Sequence, residues 1–282
     1  MYHGKDSEGN RRRVSRGDLA VYVFLGIGII INLIPLLWMI SASLKAPNEI
    51  FAANWLPDDW QFANYAKVFS LIPFGRFYLN SVLVAFGVTA VTVVLSSTAG
   101  YAFAKLPFPG RRVLFVVFLS TLMVPFHVNI IPLYKIVTAL GWLDTYAGLI
   151  LPQVALGFAV FLMRQFMLSV PDDILDAAKV DGSSALRTFW RIVLPIQRPA
   201  LATVGIFSFT TAWNNLLWPL IASTSPGMRT LPVGLGLFST STSVDWSLLM
   251  AGSTLTILPV LMVFFLLQKQ FIRGLTSGAV KE

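Results

Sequence analysis

Cysteine is absent from the 282 residues, and charged residues make up only 12% of them. Without cysteine the chain forms no disulfide and holds no metal through thiolate ligands. A soluble globular domain carries roughly a quarter of its residues as Asp, Glu, Lys and Arg. The scarcity of charge therefore argues against a soluble protein, although the chain is long enough to bury a large core.

Two motif classes are also missing. No phosphate-binding loop of the form G-x-x-x-x-G-K-[ST] occurs, and no His, Cys, Asp or Glu cluster has metal-ligand spacing. The sequence therefore predicts no ATP binding through such a loop, no metal site and no cofactor. The formal charge of +8 would suggest nucleic acid in a soluble protein. In a membrane protein the same excess follows from Lys and Arg gathered on the cytoplasmic side, so no nucleic acid is expected.

The chain is rich in long apolar segments. Hydrophobic residues make up 56% of it, and its mean hydropathy is +0.72. Six uncharged segments are long enough to cross a lipid bilayer, which takes about 20 apolar residues. The first is too long for a signal-peptide core and no cleavage site follows it, so we expect it to be retained. The predicted spans are Leu19–Ser43, Phe77–Ala104, Val113–Tyr134, Thr145–Met163, Pro199–Ser223 and Trp246–Gln268.

The distribution of positive charge predicts the orientation. Sixteen of the 21 Lys and Arg fall in the N-terminal tail, the second and fourth connections and the C-terminal tail. Cytoplasmic loops are enriched in these residues, which predicts a multi-pass membrane protein with both termini in the cytoplasm. The predicted organisation is a tail over 1–18, a six-span domain over 19–271 with a cytoplasmic loop at 164–198, and a tail over 272–282. The aromatic-rich outside loop 44–76 fits either interfacial anchoring in lipid or docking of an external partner.

A polar stretch, DDILDAAKVDGSSALRTFWRIVLP at 172–195, interrupts this apolar chain. Pro171 and the two aspartates after it favour a helix start, and Asp181-Gly182 a helix stop. Ser183 or Ser184 can cap a second helix. Two apolar faces are predicted. The first holds Ile174, Leu175, Ala178 and the aliphatic part of Lys179, and the second holds Leu186, Phe189, Trp190 and Val193. On periodicity alone, this is a surface amphipathic element that joins two spans.

The same stretch resembles a known motif. Asp176-Ala177-Ala178, Gly182 and Ile192-x-Leu194-Pro195 resemble the E-A-A-x-x-x-G … I-x-L-P pattern of permeases of ATP-binding-cassette (ABC) importers, with Asp in place of the usual Glu. VPFHVNIIPLY, LGWLDTYAGLILP, AWNNLLWPL and FIRGLTSGAVKE resemble the carbohydrate-importer branch, in particular its maltose-type second permease. Together these blocks extend the resemblance over nearly all of the chain from Leu19 onward.

The resemblance implies an all-α membrane protein with six transmembrane helices and a cytoplasmic coupling helix between spans four and five. It implies import of a sugar, oligosaccharide or glycerophosphodiester by ATP-driven alternating access. The implied partners are a second permease subunit, two copies of a cytoplasmic P-loop ATPase, an extracytoplasmic sugar-binding protein and membrane lipid. The implied location is the bacterial inner membrane. The implied ATPase-docking residues are Asp176, Ala177, Ala178, Asp181 and Gly182, and the chain itself is expected not to be an enzyme.

A path for sugars needs amides, hydroxyls and aromatic faces. The candidate residues in the spans are Thr210, Thr211, Trp213, Asn214, Asn215, Asn129 and Gln153. Hydrogen bonding between helices is the alternative role for each of them. Relatives often place an acid after the first Asn of Asn214-Asn215, so any role that needs a charge there is in doubt. His127 has no acidic partner in the membrane, which favours a structural role over proton relay.

Two other classes of function stay open. A self-sufficient secondary transporter usually shows inverted repeats and functional acids inside the membrane, and neither is visible here. A membrane enzyme would need catalytic groups at the interface. The aspartates at 172, 173, 176 and 181 could supply them, but they lie at a helix start and a turn with no histidine nearby.

Overall fold

The structure, a computed structural model, describes residues 16–154, 156–239 and 244–277. Within these ranges the chain is helical almost throughout, and β pairing is limited to an isolated bridge between Ser239 and Val244. The predicted all-α fold is confirmed. Most of the predicted tail over 1–18 and part of the tail over 272–282 lie outside the described residues.

The described parts of the chain form fourteen α-helices. Short 3-10 or π-helical turns continue or separate several of these helices. The α-helices are α1 (Arg16–Ser43), α2 (Ala63–Leu71), α3 (Phe74–Lys105), α4 (Arg111–Ser120), α5 (Phe126–Ala139), α6 (Tyr146–Ile150), α7 (Leu156–Leu168), α8 (Asp172–Val180), α9 (Ala185–Thr188), α10 (Leu194–Ile196), α11 (Arg198–Trp213), α12 (Leu217–Ala222), α13 (Leu231–Leu235) and α14 (Trp246–Ser277). The remaining turns are 3-10 at Thr121–Met123, Leu151–Gln153, Pro226–Met228 and Gly236–Phe238, and π-helical at Phe189–Val193.

Three helices are long and apolar enough to cross a membrane without interruption: most of α1, all of α3 and most of α14. They coincide with the predicted first, second and sixth spans. Three further helix pairs meet the same criterion only when the two members of each pair are taken together, and each pair is bent by more than 40°. By length and composition, the described residues therefore hold three spans, or up to six if each bent pair counts as one.

The predicted third span, Val113–Tyr134, is not a straight helix. The helix that begins with α4 ends at Met123, and α5 leaves at an angle of 98°. Val124 and Pro125 between them are extended, with ψ of 111° and 138°. Proline has no N–H to continue the helix and disfavours a helical conformation in the residue before it. The bend therefore has a local cause.

The predicted fourth and fifth spans are also interrupted. The fourth comprises α6, a 3-10 turn over Leu151–Gln153 that contains Pro152, and α7. The fifth, Pro199–Ser223, comprises α11 and α12 with a break at Asn214–Leu216. At its other end, α11 makes an angle of 80° with the helical segment Ala185–Ile196. That segment therefore runs nearly perpendicular to α11.

The centre of the molecule is α3, which packs against α7 and α11. Its buried face carries small residues four apart, at Ser96, Gly100 and Ala104. A methyl group on Gly100 would lie 2.7 Å from Met163 Cβ and 2.9 Å from the Arg164 backbone nitrogen. Small residues at this spacing let membrane helices approach closely, and dispersion contacts then hold them together.

The other end of α3 is fixed by hydrogen bonds. The Asn80 side chain is fully buried and donates to the carbonyl oxygens of Gly227 (2.9 Å) and Arg229 (2.8 Å). It also accepts from the Tyr146 hydroxyl at 2.8 Å. Because these bonds satisfy the amide, its burial stabilises the loop between α12 and α13 against α3.

Apolar side chains cover much of the outer surface. Phe24, Ile29 and other large residues of α1 are mostly exposed, although α1 also packs against α14. Such a surface requires lipid or another protein around it. In the loop after α1, Trp55, Trp60 and Phe62 are also exposed, as both interpretations of this loop require.

Candidate docking helix and central cavity

The candidate docking helix is α8, which begins at Asp172 and ends at Val180 as the sequence predicts. Leu175 and Ala178 are buried against the bundle, whereas Asp176 and Ala177 face outward. The Lys179 side chain, predicted to add its aliphatic part to the buried face, is largely exposed. One side of this short helix is therefore attached to the bundle and the opposite side is open.

Gly182 ends α8 with a left-handed residue at φ +71°. Its N–H donates to the Lys179 carbonyl at 2.9 Å, and the Ser183 N–H donates to the Ala178 carbonyl at 2.9 Å. These two bonds form a Schellman cap, for which glycine is the preferred residue. Ser184 then caps α9 by accepting a bond from the Arg187 N–H at 3.4 Å. The predicted helix, glycine turn and second helix are all present.

The second helix differs from the predicted amphipathic face. Phe189 and Val193 are buried, but Leu186 is mostly exposed and Trp190 is about half exposed. The cause is local, because Phe189–Val193 form a π-helical turn and the wider turn shifts the positions that share a face. Half of the predicted apolar face therefore points away from the bundle.

Charged groups link α8 to the spans. Lys105 Nζ, at the end of α3, donates to Asp172 Oδ1 at 2.7 Å and to the Val170 carbonyl at 2.7 Å. The hydrogen bond and the positive charge of Lys105 hold the pKa of the Asp172 carboxyl below its ordinary value. Within α8, Lys179 Nζ lies 2.7 Å from Asp176 Oδ1. That pair is exposed and contributes little to stability, so Asp176 can exchange it for another cation.

Apolar contacts hold the same region. The ring centroids of Tyr101 and Phe189 are 5.1 Å apart. Around them lies a buried cluster to which α3, α7, α8 and α11 all contribute. Leu175 of the candidate docking helix joins this cluster, so that α8 contacts the bundle through a buried apolar side chain.

A mostly apolar cavity with several polar side chains in its lining lies between α3, α7 and α11. Its polar lining comes from Gln153, Thr211, Asn215, Thr92 and Ser208, and it has no charged residue in its lining. Asn215 Nδ2 donates to Gln153 Oε1 at 2.8 Å. The Thr92 hydroxyl is buried and makes no hydrogen bond. Gln153 Nε2 also donates to the Leu149 carbonyl at 2.6 Å, and Asn215 Oδ1 accepts from the Trp218 N–H at 3.4 Å. Both amides therefore have partners within the chain, and a solute would have to replace some of these bonds.

The structure brings together only some of the predicted path residues. Gln153, Thr211 and Asn215 line the cavity just described, whereas Trp213 and Asn214 line a separate pocket between α11 and α14. The Trp213 side chain is 1% exposed and its indole N–H donates to the Thr256 carbonyl at 3.1 Å. A sugar stacked on this ring would require α11 and α14 to separate.

Two predicted path residues lie elsewhere, and two cavity residues were missed. Asn129 is exposed on α5, and Thr210 is half-buried on α11; neither lines the two cavities. Thr92 and Ser208 were not predicted. Thr92 continues the buried small-residue face of α3, four positions before Ser96. This four-residue spacing could have identified Thr92 from the sequence.

The fold and the site together define a class: an integral membrane protein with an apolar helical bundle, a polar two-helix segment at one end and an uncharged cavity between central helices. Residues 92–277 match the family described as "Binding-protein-dependent transport system inner membrane component". The chain belongs to this family, and the resemblance drawn from its motifs is confirmed.

Its relatives carry permease names. Over 269 residues it is 36% identical to the arabinooligosaccharides transport system permease protein AraQ of Bacillus subtilis, covering 93% of this chain and 95% of AraQ. It is 34% identical to the sn-glycerol-3-phosphate transport system permease protein UgpE of Yersinia pestis, covering 95% and 98%. These relatives are transport components, not catalysts. Its fold is similar to a chain of a bacterial ABC transporter involved in alginate import (TM-score 0.79, 24% identity, 91% and 98% covered).

Proposed function

We propose that the chain is a permease subunit of a bacterial ABC importer that translocates a neutral carbohydrate by ATP-driven alternating access. The observation that carries the proposal is α8 with its Gly182 cap, a short helix whose Leu175 and Ala178 are buried on one side and whose other side is open. Two relatives are named for transport of arabinooligosaccharides and of sn-glycerol-3-phosphate. The uncharged lining of the cavity favours a neutral solute over a phosphate ester.

The proposed docking surface consists of Asp176, Ala177, Asp181 and Gly182, which are exposed. Ala178, also predicted to dock, is buried and packs behind this surface. A methyl side chain at 177 leaves room for a cleft of the ATPase to close around the helix. The carboxylate of Asp176 would leave Lys179 and pair with a basic residue of the ATPase.

The proposed assembly contains this chain, a second permease, two P-loop ATPases and an extracytoplasmic sugar-binding protein. The excess of Lys and Arg around α8 supports a cytoplasmic position for this end of the bundle. The exposed apolar face of α1 would contact lipid or the second permease.

Affinity purification from native membranes tests this proposal. A tagged copy in mild detergent is expected to bring down a P-loop ATPase, a second permease and a binding protein. The binding protein is then screened against neutral sugars and sn-glycerol 3-phosphate to identify the solute. Recovery of this chain alone, still transporting after reconstitution, would instead establish a secondary transporter.

Thr92→Val is expected to raise stability and lower transport. Thr92 is 1% exposed, and its hydroxyl makes no hydrogen bond with the described residues, so removing the hydroxyl relieves a desolvation cost of about 1–2 kcal/mol. If the hydroxyl binds solute, uptake falls by up to about tenfold, the equivalent of one hydrogen bond. The measurements are thermal unfolding in detergent and initial uptake by the reconstituted complex.

Thr203→Val is the matched control. Thr203 is also 1% exposed, but its hydroxyl donates to the Pro199 carbonyl at 2.8 Å. This variant should therefore gain no stability. If Thr92→Val transports at the normal rate, its hydroxyl takes no part in the solute path.

A further inference from the structure

Lys105 is the final residue of α3, and its side chain is only 7% exposed. A buried ammonium group needs partners, because burying it without them is very unfavourable. Both of its partners lie at the start of the docking helix: the Val170 carbonyl precedes α8, and Asp172 is its first residue. The end of the central helix is therefore joined to the start of α8 by two short, charge-assisted hydrogen bonds.

Other contacts between α8 and the bundle are of a different kind. Leu175 joins the apolar cluster and Ala178 is buried beside it, and such contacts are non-directional. In the parts of the chain that the structure describes, the second ion pair is Lys179 with Asp176, which lies within α8 itself. In these parts, Lys105 alone supplies an ion pair between α8 and a span.

We propose that Lys105 is a positioning residue that transmits movement of α8 to α3 during the transport cycle. The inference rests on the proposed function, because it assumes that an ATPase moves α8. Apolar side chains can slide past one another when a helix is displaced. A buried cation held by two oxygens resists sliding, since any displacement leaves it without partners. Movement of the start of α8 therefore carries the end of α3 with it.

The absence of cysteine from the chain allows a direct test. Cysteines introduced at Val180, 87% exposed at the end of α8, and at Leu95, exposed on α3, accept spin labels in the complex purified from native membranes. The distance between them is measured by pulsed electron paramagnetic resonance with and without ATP plus vanadate. With Lys105 present, the distance is expected to stay the same, because both helices move together.

Lys105→Met removes the cation and keeps an unbranched apolar side chain. The trapped state is then expected to shift the distance by more than the width of the resting distribution. Lys105→Arg, which keeps a cation, should restore the constant distance at least in part. Arg112→Met removes an exposed cation seven residues further along and should behave as the unmodified chain does.

If the complex with Lys105→Met does not assemble, Asp172→Asn tests the role of Lys105 instead. Asp172 is 79% exposed, so its replacement leaves the fold intact, and the same shift is expected in smaller measure. A constant distance in an assembled Lys105→Met or Asp172→Asn complex would overturn the role of Lys105, as would equal shifts in Lys105→Met and Arg112→Met. If no ATPase co-purifies with the unmodified chain, the proposed function itself fails, and that outcome is seen before any variant is made.

Discussion

Replacing Gly182 by proline is expected to abolish ATP-driven uptake while the chain still inserts and folds. Proline fixes φ near −65°, whereas Gly182 has φ +71°. Proline also removes the N–H that bonds to the Lys179 carbonyl. An added side chain would meet nothing within 4 Å, so crowding inside this chain would not explain the loss. The turn is expected to open and change the direction of α8.

The expected loss of ATPase binding follows from the place of Gly182 in the proposed docking surface. Loss of a central contact in a protein interface costs about 2 kcal/mol or more, so ATPase binding should fall at least about thirtyfold. Uptake by the reconstituted complex should fall with it. The measurements are the amount of ATPase that co-purifies and the initial rate of uptake.

Gly141→Pro is the matched control for this variant. Gly141 has φ +67° and the same cap, with its N–H on the Thr138 carbonyl at 3.0 Å and the Trp142 N–H on the Val137 carbonyl at 2.9 Å. It ends α5 rather than α8. Both variants should lose similar stability, but only Gly182→Pro should release the ATPase. Equal ATPase recovery from the two would show that α8 does not dock.

Replacing Gly100 by valine is expected to prevent stable folding. Even a methyl group there would lie 2.7 Å from Met163 Cβ and 2.9 Å from a backbone nitrogen of α7. Backbone atoms cannot move aside as a flexible side chain can, so α3 and α7 must separate. Overpacking of this kind costs about 3 kcal/mol or more. Folded protein should be recovered in much lower yield, with a lower midpoint of thermal unfolding.

Gly205→Ala tests whether any added carbon in a buried helix has this effect. Gly205 is buried in α11, but an added Cβ would meet only Thr89 Cγ2, at 4.0 Å. Alanine also favours helix over glycine by about 1 kcal/mol. This variant should be as stable as the parent or more so. Normal yield and melting of Gly100→Val would contradict the close approach of α3 and α7.

The sequence predicts well those features that depend on local chemistry. The uninterrupted spans α1, α3 and α14 follow from unbroken apolar runs, and their bounds lie close to those predicted. The end of α8 at Gly182 follows from the preference of glycine for positive φ. In each case the residues that determine the feature lie within one turn or one continuous segment of the sequence.

Features that depend on the arrangement of distant residues were not predictable. Lys105 and Asp172 are 67 positions apart, and hydropathy holds no information about their pairing. The 98° bend at Pro125 was missed because proline is tolerated in many membrane helices. The π-helical turn at Phe189–Val193 changed which aromatic side chains are buried, although the spacing of the apolar residues favoured an ordinary helix.

Because α3 is held near both of its ends, a tilt of this helix would move the segments attached to it. Asn80 holds the loop before α13 near one end, and Lys105 holds α8 at the other. At 1.5 Å per residue these anchors lie about 37 Å apart along a continuous helix. A rigid helix of this length that tilts by about 5° about one anchor displaces the other anchor by about 3 Å. If α8 moves as proposed, a small rotation at one end of α3 would produce a displacement of atomic size at the other end.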